Sequence, residues 1–273
     1  MFELLIFQRA FIACLIIGFT NGYTSAFVLL NRSPLQLSAL SHSLLPGIAI
    51  ATIFVGLTVV SAFSGAVLMA IIIGLLSLYL SRHSKLSQDT TLSILYTGSF
   101  ATGLVLINRT GQTHELEHWL FGNILGLSDM DLWMSFAFGV LALLTLSLFK
   151  RPILITLFEP TVARTLGVQV SLVRYGSFAL LILVLVTTLQ AVGCILSIGL
   201  IVTPGATVRL LTNNTKTLFL ASGILGAVGS CLGLTIGYYF DYPAESAIVI
   251  TLSIFFLIAF GIKKVLDLGK KKT

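Results

Sequence analysis

The amino-acid sequence predicts an all-α polytopic membrane protein with about 8–9 transmembrane helices. Of its 273 residues, 56% are hydrophobic and 10% are charged, whereas soluble domains carry about 25% charged residues. The mean hydropathy is +1.03, and each helical crossing of a bilayer needs about 20 apolar residues. These observations exclude a soluble globular protein and predict a single transmembrane domain over residues 1–273.

Long apolar runs mark the predicted crossings. They lie at about 8–30, 37–60, 62–81, 91–108, 132–149, 173–189, 192–208, 217–238 and 246–262. The stretch from Gln190 to Gly193 leaves two interpretations open, because two short spans and one long broken helix fit the same pattern.

The charged residues predict an orientation. With nine spans and a cytoplasmic C-terminus, every Lys and Arg except Arg9 and Arg109 falls on the cytoplasmic side. Basic residues collect on that side of bacterial membrane proteins, so the net charge of +6 records topology and does not indicate nucleic-acid binding. Most acidic residues fall on the outer side, which predicts a cation-attracting mouth. They are Glu3, Glu115, Glu117, Asp129, Asp131, Asp241 and Glu245.

Two connections are longer than the rest, an inner segment at about 150–172 and an outer loop at about 109–131. In the inner segment, Pro160 after Glu159 is typical of a helix start. A short helix there would present Phe158, Val162 and neighbouring apolar residues to a partner, although an ordinary interfacial helix fits equally.

His42 is the only ionisable residue well inside a predicted span. Ser38 lies one helical turn before it, and Pro46 lacks the N–H that would bind the His42 carbonyl. With Pro46 and Gly47 breaking the helix, an imidazole and a carbonyl oxygen can face one cavity and bind a divalent cation. The alternative is a histidine that donates to a neighbouring helix beside a structural kink. Pro204 predicts a second helix break, either along the pathway or as a packing bend.

Two further groups of metal-binding residue types occur. His114 and His118, with Glu117 between them, form a possible outer metal relay if the loop is helical, and a solvated amphipathic loop otherwise. The cysteines lie singly in apolar runs, which predicts small core residues and neither a disulfide nor a metal framework. They are Cys14, Cys194 and Cys231.

Four motifs, in this order and spacing, resemble the ABC-type zinc/manganese permease family. They are ALSHSLLPG at 39–47, LFGNIL at 120–125, LFEP at 157–160 with Ala163 and Gly167, and VGCILSIGLIVTPGAT at 192–207. The resemblance spans about Phe7 to Ile262. It implies a permease with a type II ABC importer-like fold, paired as two copies, in a prokaryotic cytoplasmic membrane.

The resemblance also implies partners and roles. Two ATPase subunits would bind ATP beneath the membrane, an extracytoplasmic metal-binding protein would dock above, and Glu159, Pro160, Ala163 and Gly167 would form the helix that couples to the ATPase. The chain lacks a GxxxxGK[ST] loop, which fits a non-enzymatic transport subunit without a bound cofactor. The implied cargo is Zn²⁺ or Mn²⁺.

The chain departs from the family pattern at the metal site. The usual block reads Gly-Asp-Ala-(Leu/Ile)-Ser-His, so its His falls on His42 and its Asp on Ser38. A neutral hydroxyl is a poorer ligand than a carboxylate, which tilts the expectation from Mn²⁺ toward Zn²⁺. A metal chelate or another small solute remains an alternative cargo, and an ATP-independent carrier or membrane enzyme is a third hypothesis.

Overall fold

The computed structural model describes residues 2–31, 33–56, 58–110 and 122–270, and these residues form helices and no strands. The all-α prediction is therefore confirmed. In chain order the helices are α1 (Phe2–Leu30), α2 (Pro34–Ser43), α3 (Leu45–Val55), α4 (Val59–His83), α5 (Gln88–Thr110), α6 (Asp129–Leu148), α7 (Lys150–Phe158), α8 (Pro160–Thr165), α9 (Val170–Leu211), α10 (Thr215–Tyr239) and α11 (Ala244–Lys270), with a 3₁₀ turn at Ile124–Gly126.

Seven spans in the described residues are long and apolar enough to cross a membrane, fewer than the nine runs predicted from the sequence. One difference is α5, which covers the predicted run at 91–108 but carries hydroxyl residues along most of its length. The other is α9, a helix of 42 residues that contains both predicted runs at 173–189 and 192–208.

The two halves of α9 nevertheless fold back on each other. Thr188 and Gly205 would lie about 25 Å apart in a straight helix. Instead, Thr188 hydrogen-bonds Asn21 at 2.9 Å, and Gly205 packs against the Ser25 carbonyl one turn further along α1. The chain turns at Gly193, which has non-helical angles of φ 77° and ψ 173°. Residues 170–192 and 194–211 therefore make two passes, as the two-span interpretation expected.

The opposite ends of the helix bundle differ in charge. At one end, here called the acidic end, Arg9 pairs with Asp129 at 3.3 Å and Glu245 accepts a hydrogen bond from the Ile124 amide at 2.6 Å. At the other, the basic end, Lys150 lies 4.4 Å above the Phe219 ring. Partial burial, with Lys216 nearby, lowers the pKa of Lys150. The fold thus separates the charges as the sequence predicted, and the cytoplasmic placement of the basic end stays a prediction.

Small residues let neighbouring helices approach closely. A Cβ on Gly22 of α1 would overlap the Ser222 carbonyl of α10, and one on Gly226 of α10 would overlap the Gly18 carbonyl of α1. Small residues four positions apart on facing helices are a common packing device in membranes, because they allow backbone contact. The contact holds α1 beside α10 and leaves another face of α1 to receive both halves of α9.

Candidate functional site

The residues predicted as a metal site line a cavity of about 400 Å³ between α2 and α5. His42 is half-buried in its wall. Helix α2 begins at Pro34, and Ser38 and His42 lie one turn apart in it, so both are on the same face. The lining residues are Gln36, Ser38, Ala39, His42, Asp89, Leu92, Ser93, Tyr96, Thr97 and Phe100.

A short hydrogen bond within α2 orients the His42 ring. Its Nδ1 lies 2.8 Å from the Ser38 carbonyl oxygen, which can only accept. In the neutral imidazole Nδ1 therefore carries the proton, and Nε2 presents a lone pair. Metal-binding histidines are commonly oriented by such a bond from the second ring nitrogen. The bond lies within α2, so His42 does not use this nitrogen to join a neighbouring helix.

The free edge of His42 points toward α9. The ring lies between two aromatic residues of α5, with centroids 6.1 Å from Tyr96 and 5.8 Å from Phe100. Its Nε2 is 3.9 Å from the Cys194 sulfur, and that sulfur is 3.6 Å from the Ser41 hydroxyl. Cys194 is buried and free, as the core interpretation expected. Its contact with His42 could not be foreseen, since no local pattern joins residues so distant in the chain.

Pro46 and Gly47 lie next to a junction between two helices, whereas the break predicted at Pro204 is not present. Pro46 is in the first turn of α3, just past the junction with α2 at Leu44, and Gly103 of α5 packs against it. Gly47 contacts Gly65 of α4 backbone to backbone. Pro204 lies inside α9, where Gly193 is the residue with non-helical angles.

The cavity also contains a carboxylate that the sequence analysis did not include. Asp89, at the start of α5, accepts a hydrogen bond from Gln36 at 3.1 Å. Asp89 is followed at helical intervals by Ser93, Tyr96 and Phe100, so these residues share one face of α5. This spacing can be recognised in the sequence. Glu245 does not replace the missing acid at position 38, because its carboxylate binds the Ile124 amide at the acidic end.

Other predicted ligands are less informative. Within the described residues, no three His, Cys, Asp or Glu side chains form a group able to hold a metal ion. His114, Glu117 and His118 lie outside the described residues. Two acids at the acidic end are engaged by protein groups: Asp129 pairs with Arg9, and Asp131 caps α6 through Ser128.

The inner segment folds into two short helices, α7 and α8. Glu159 and Pro160 begin α8, and the fully buried Ala163 fixes it to the bundle. Gly167 ends it with a φ of 79°, and the amides of Gly167 and Val168 return to the carbonyls of Arg164 and Ala163. This pattern is a Schellman motif. The exposed apolar residues of the segment are Phe158, Val162 and Leu166.

A second cavity of about 660 Å³ lies at the basic end. Three arginines line it, Arg82 from α4, Arg164 from α8 and Arg174 from α9, and Gln36 belongs to both cavities. The cavity beside the inner segment and the His42 cavity therefore adjoin each other at Gln36.

Comparison with known proteins gives consistent matches. Residues 2–263 match the ABC 3 transport family. The chain is 37% identical to the manganese import system permease protein ScaB of Streptococcus gordonii, over 93% of this chain and 90% of that protein. It is 32% identical to the chelated iron transport system membrane protein YfeD of Yersinia pestis, over 92% of this chain and 84% of that protein.

A solved structure matches over the same range. PsaBC from Streptococcus pneumoniae, in complex with Fab, superimposes with a TM-score of 0.84 at 36% identity, covering 93% of this chain and 90% of that chain. This chain belongs to the ABC 3 transport family.

Proposed function

We propose that this chain is the permease subunit of an ATP-driven importer that moves a divalent transition-metal ion, manganese or zinc, across a prokaryotic cytoplasmic membrane. The observation that carries the proposal is the His42 ring in the wall of the cavity, whose Nδ1–H donates to the Ser38 carbonyl and whose Nε2 faces the Cys194 sulfur at 3.9 Å. An ionisable group inside a membrane span is costly and marks a transport pathway. The named functions of the relatives support a metal as the cargo.

Two lines of support differ on which metal is carried. The name of ScaB favours manganese. The residues favour zinc, because Mn²⁺ prefers carboxylate oxygens and imidazole suits Zn²⁺ well. Ser38 lines the cavity where the family has an aspartate, and Asp89 lies on the facing helix.

The chain performs no covalent chemistry in this proposal. ATP binds and is hydrolysed on separate subunits, which receive α8 through the exposed Phe158, Val162 and Leu166. Glu159, Pro160, Ala163 and Gly167 act by shaping α8 and fixing it to the bundle. Two copies of the permease form the pathway, an extracytoplasmic metal-binding protein docks at the acidic end, and the C-terminus lies in the cytoplasm.

The test is uptake of radioactive Mn²⁺ and Zn²⁺ by cells in which this transporter is the only high-affinity route. His42→Ala is expected to abolish uptake of the transported ion. His83→Ala is the matched control, because His83 also bonds a carbonyl one turn back, that of Tyr79 at 2.9 Å, but lies at the end of α4 outside the cavity. Equal uptake by the His42 variant and its parent would remove the proposed site.

A second substitution tests the missing carboxylate. Ser38→Asp places an acid on the same cavity wall and is expected to increase retention of Mn²⁺ relative to Zn²⁺. Ser93→Asp, on the facing helix of the same cavity, controls for the added charge. Unchanged retention in Ser38→Asp would show that this side chain does not reach the ion.

A metal chelate is the second candidate cargo. The cavity of about 400 Å³ is larger than a bare ion needs and has aromatic walls at Tyr96 and Phe100, and YfeD is named for chelated iron. Uptake of chelated iron that persists in His42→Ala, with no uptake of free Mn²⁺ or Zn²⁺ by the parent, would favour this candidate.

A further inference from the structure

We propose that Cys194 is a second protein ligand of the ion held at His42, and that this imidazole–thiol pair makes the pathway selective for a thiophilic divalent cation such as Zn²⁺. The inference rests on the proposed function and names the substrate class of the same site. It concerns a contact between α2 and α9 that joins two distant parts of the sequence.

The distance between the two donor atoms suits a shared metal ion. Zinc binds histidine nitrogen at about 2.0–2.1 Å and cysteine sulfur at about 2.3 Å in tetrahedral geometry, which places the two donors about 3.6 Å apart. The observed separation of His42 Nε2 and Cys194 Sγ is 3.9 Å. A shift of a few tenths of an ångström would bring both atoms onto one ion.

The neighbouring groups hold both donors in position. The Ser38 carbonyl accepts from His42 Nδ1 at 2.8 Å and from the Ser41 hydroxyl at 2.8 Å. The Ser41 oxygen in turn lies 3.6 Å from the Cys194 sulfur. One carbonyl therefore orients the imidazole and the Ser41 hydroxyl directly, and the Ser41 oxygen accepts from the Cys194 thiol. This last bond holds the thiol in place before the ion binds and is lost with the thiol proton.

The backbone at Gly193 directs Cys194 to this position. Because Gly193 turns α9 back on itself, the next residue projects from the bend toward α2. The other cysteines differ: the Cys231 sulfur lies 4.0 Å from the Phe11 carbonyl, and Cys14 packs in the apolar cluster formed by Ala10, Ala13 and Ile17. Within the part of the chain that the structure describes, Cys194 is thus the one cysteine whose sulfur lies beside an imidazole.

The donor set predicts which ion is favoured. Thiolate sulfur binds Zn²⁺ strongly and Mn²⁺ poorly, whereas carboxylate oxygen suits Mn²⁺. This chain has a hydroxyl at position 38 and a thiol at position 194, so both differences favour Zn²⁺. The ion displaces the thiol proton to water, releasing one proton for each thiolate bound. Two protein ligands leave the remaining positions to water, and a weakly held ion can leave the pathway.

The experiment uses the permease–ATPase complex purified in detergent and titrated with Co²⁺, a coloured substitute for Zn²⁺. The parent is expected to give a near-ultraviolet thiolate-to-Co²⁺ band that Zn²⁺ displaces at lower concentration than Mn²⁺. Cys194→Ser should abolish the band and lower the ratio of Zn²⁺ to Mn²⁺ uptake by about tenfold or more. Cys14→Ser and Cys231→Ser are the matched controls and should keep both properties.

The outcomes separate this inference from the proposed function. If the parent shows no thiolate band at saturating Co²⁺, the inference is overturned. This outcome needs no substitution at position 194, so it can be reached even if the Cys194 variant does not fold. A band that persists in folded Cys194→Ser also overturns it. If His42→Ala loses uptake while Cys194→Ser keeps the parental Zn²⁺ to Mn²⁺ ratio, the metal importer stands and the cysteine ligand falls. If the parent carries neither ion, the proposed function itself fails.

Discussion

Replacing Gly193 by alanine tests whether the fold-back of α9 depends on this residue. Its angles, φ 77° and ψ 173°, lie in a region that only glycine occupies readily, and another residue there costs about 1–3 kcal/mol. The backbone at Gly122 packs directly against the bend, because a Cβ at Gly122 would overlap the Val192 carbonyl. The bend therefore cannot relax toward Gly122, and we expect Gly193→Ala to lose about 1–3 kcal/mol of stability.

Thermal unfolding of the purified protein in detergent measures this loss. At about 2–4 °C per kcal/mol for a chain of this size, the Tm of Gly193→Ala should fall by about 2–12 °C. Gly176→Ala is the matched control on the same helix, because Gly176 is helical and has open space around its Cβ position. That substitution should be neutral or stabilise by up to about 1 kcal/mol.

The comparison between the two variants can refute the reasoning. Equal Tm values for Gly193→Ala and Gly176→Ala would mean that alanine adopts the bend without strain, or that the bend is not where the structure places it. A lower Tm with an unchanged Co²⁺ thiolate band would separate the two roles of the bend. In that case Gly193 stabilises the fold but does not position Cys194.

Three further substitutions test other parts of the fold. Gly167→Ala should destabilise the end of α8 by about 1–2 kcal/mol, because the left-handed backbone angle disfavours a side chain even where the surroundings are open. Reduced co-purification of the ATPase with this variant is the measurement. Gly226→Leu should prevent the contact of α1 with α10 and lower the yield of monodisperse protein, whereas Gly261→Leu, which meets open space, should not. Asp129→Asn should change the free energy of unfolding by less than about 1 kcal/mol, because both side chains of its pair with Arg9 are exposed; the Tm measures it.

Composition and charge placement were enough to predict the class of fold. Apolar runs report burial in lipid without reference to tertiary contacts, and basic residues report sidedness in the same local way. Helix α8 also depends on local residues, because Pro160 is typical of a helix start and Gly167 of a helix end. Such features depend only on residues close together in the chain, so a single sequence is enough to predict them.

The candidate site could be predicted only in part. His42 could be predicted as a site residue because an ionisable side chain within an apolar run is unusual in any fold. Its partner could not be identified, because Cys194 looks like any small core residue until the bend at Gly193 is known. Asp89 precedes the apolar run at 91–108, and hydropathy could not show that α5 places it on the cavity wall facing α2.

The placement of the two proposed ligands on different helices has a consequence for transport. Ser38 and His42 lie on one helix, so their spacing is nearly fixed, whereas the distance from His42 to Cys194 changes whenever α9 moves relative to α2. Residues 170–192 form a half-helix about 34 Å long that begins shortly after α8 and ends at the bend beside Cys194. In the proposed importer, a displacement of α8 by the ATPase is transmitted along this half-helix to the thiol. A site shared between α2 and α9 can lose one ligand during the cycle and release its ion, which a site built on α2 alone cannot do.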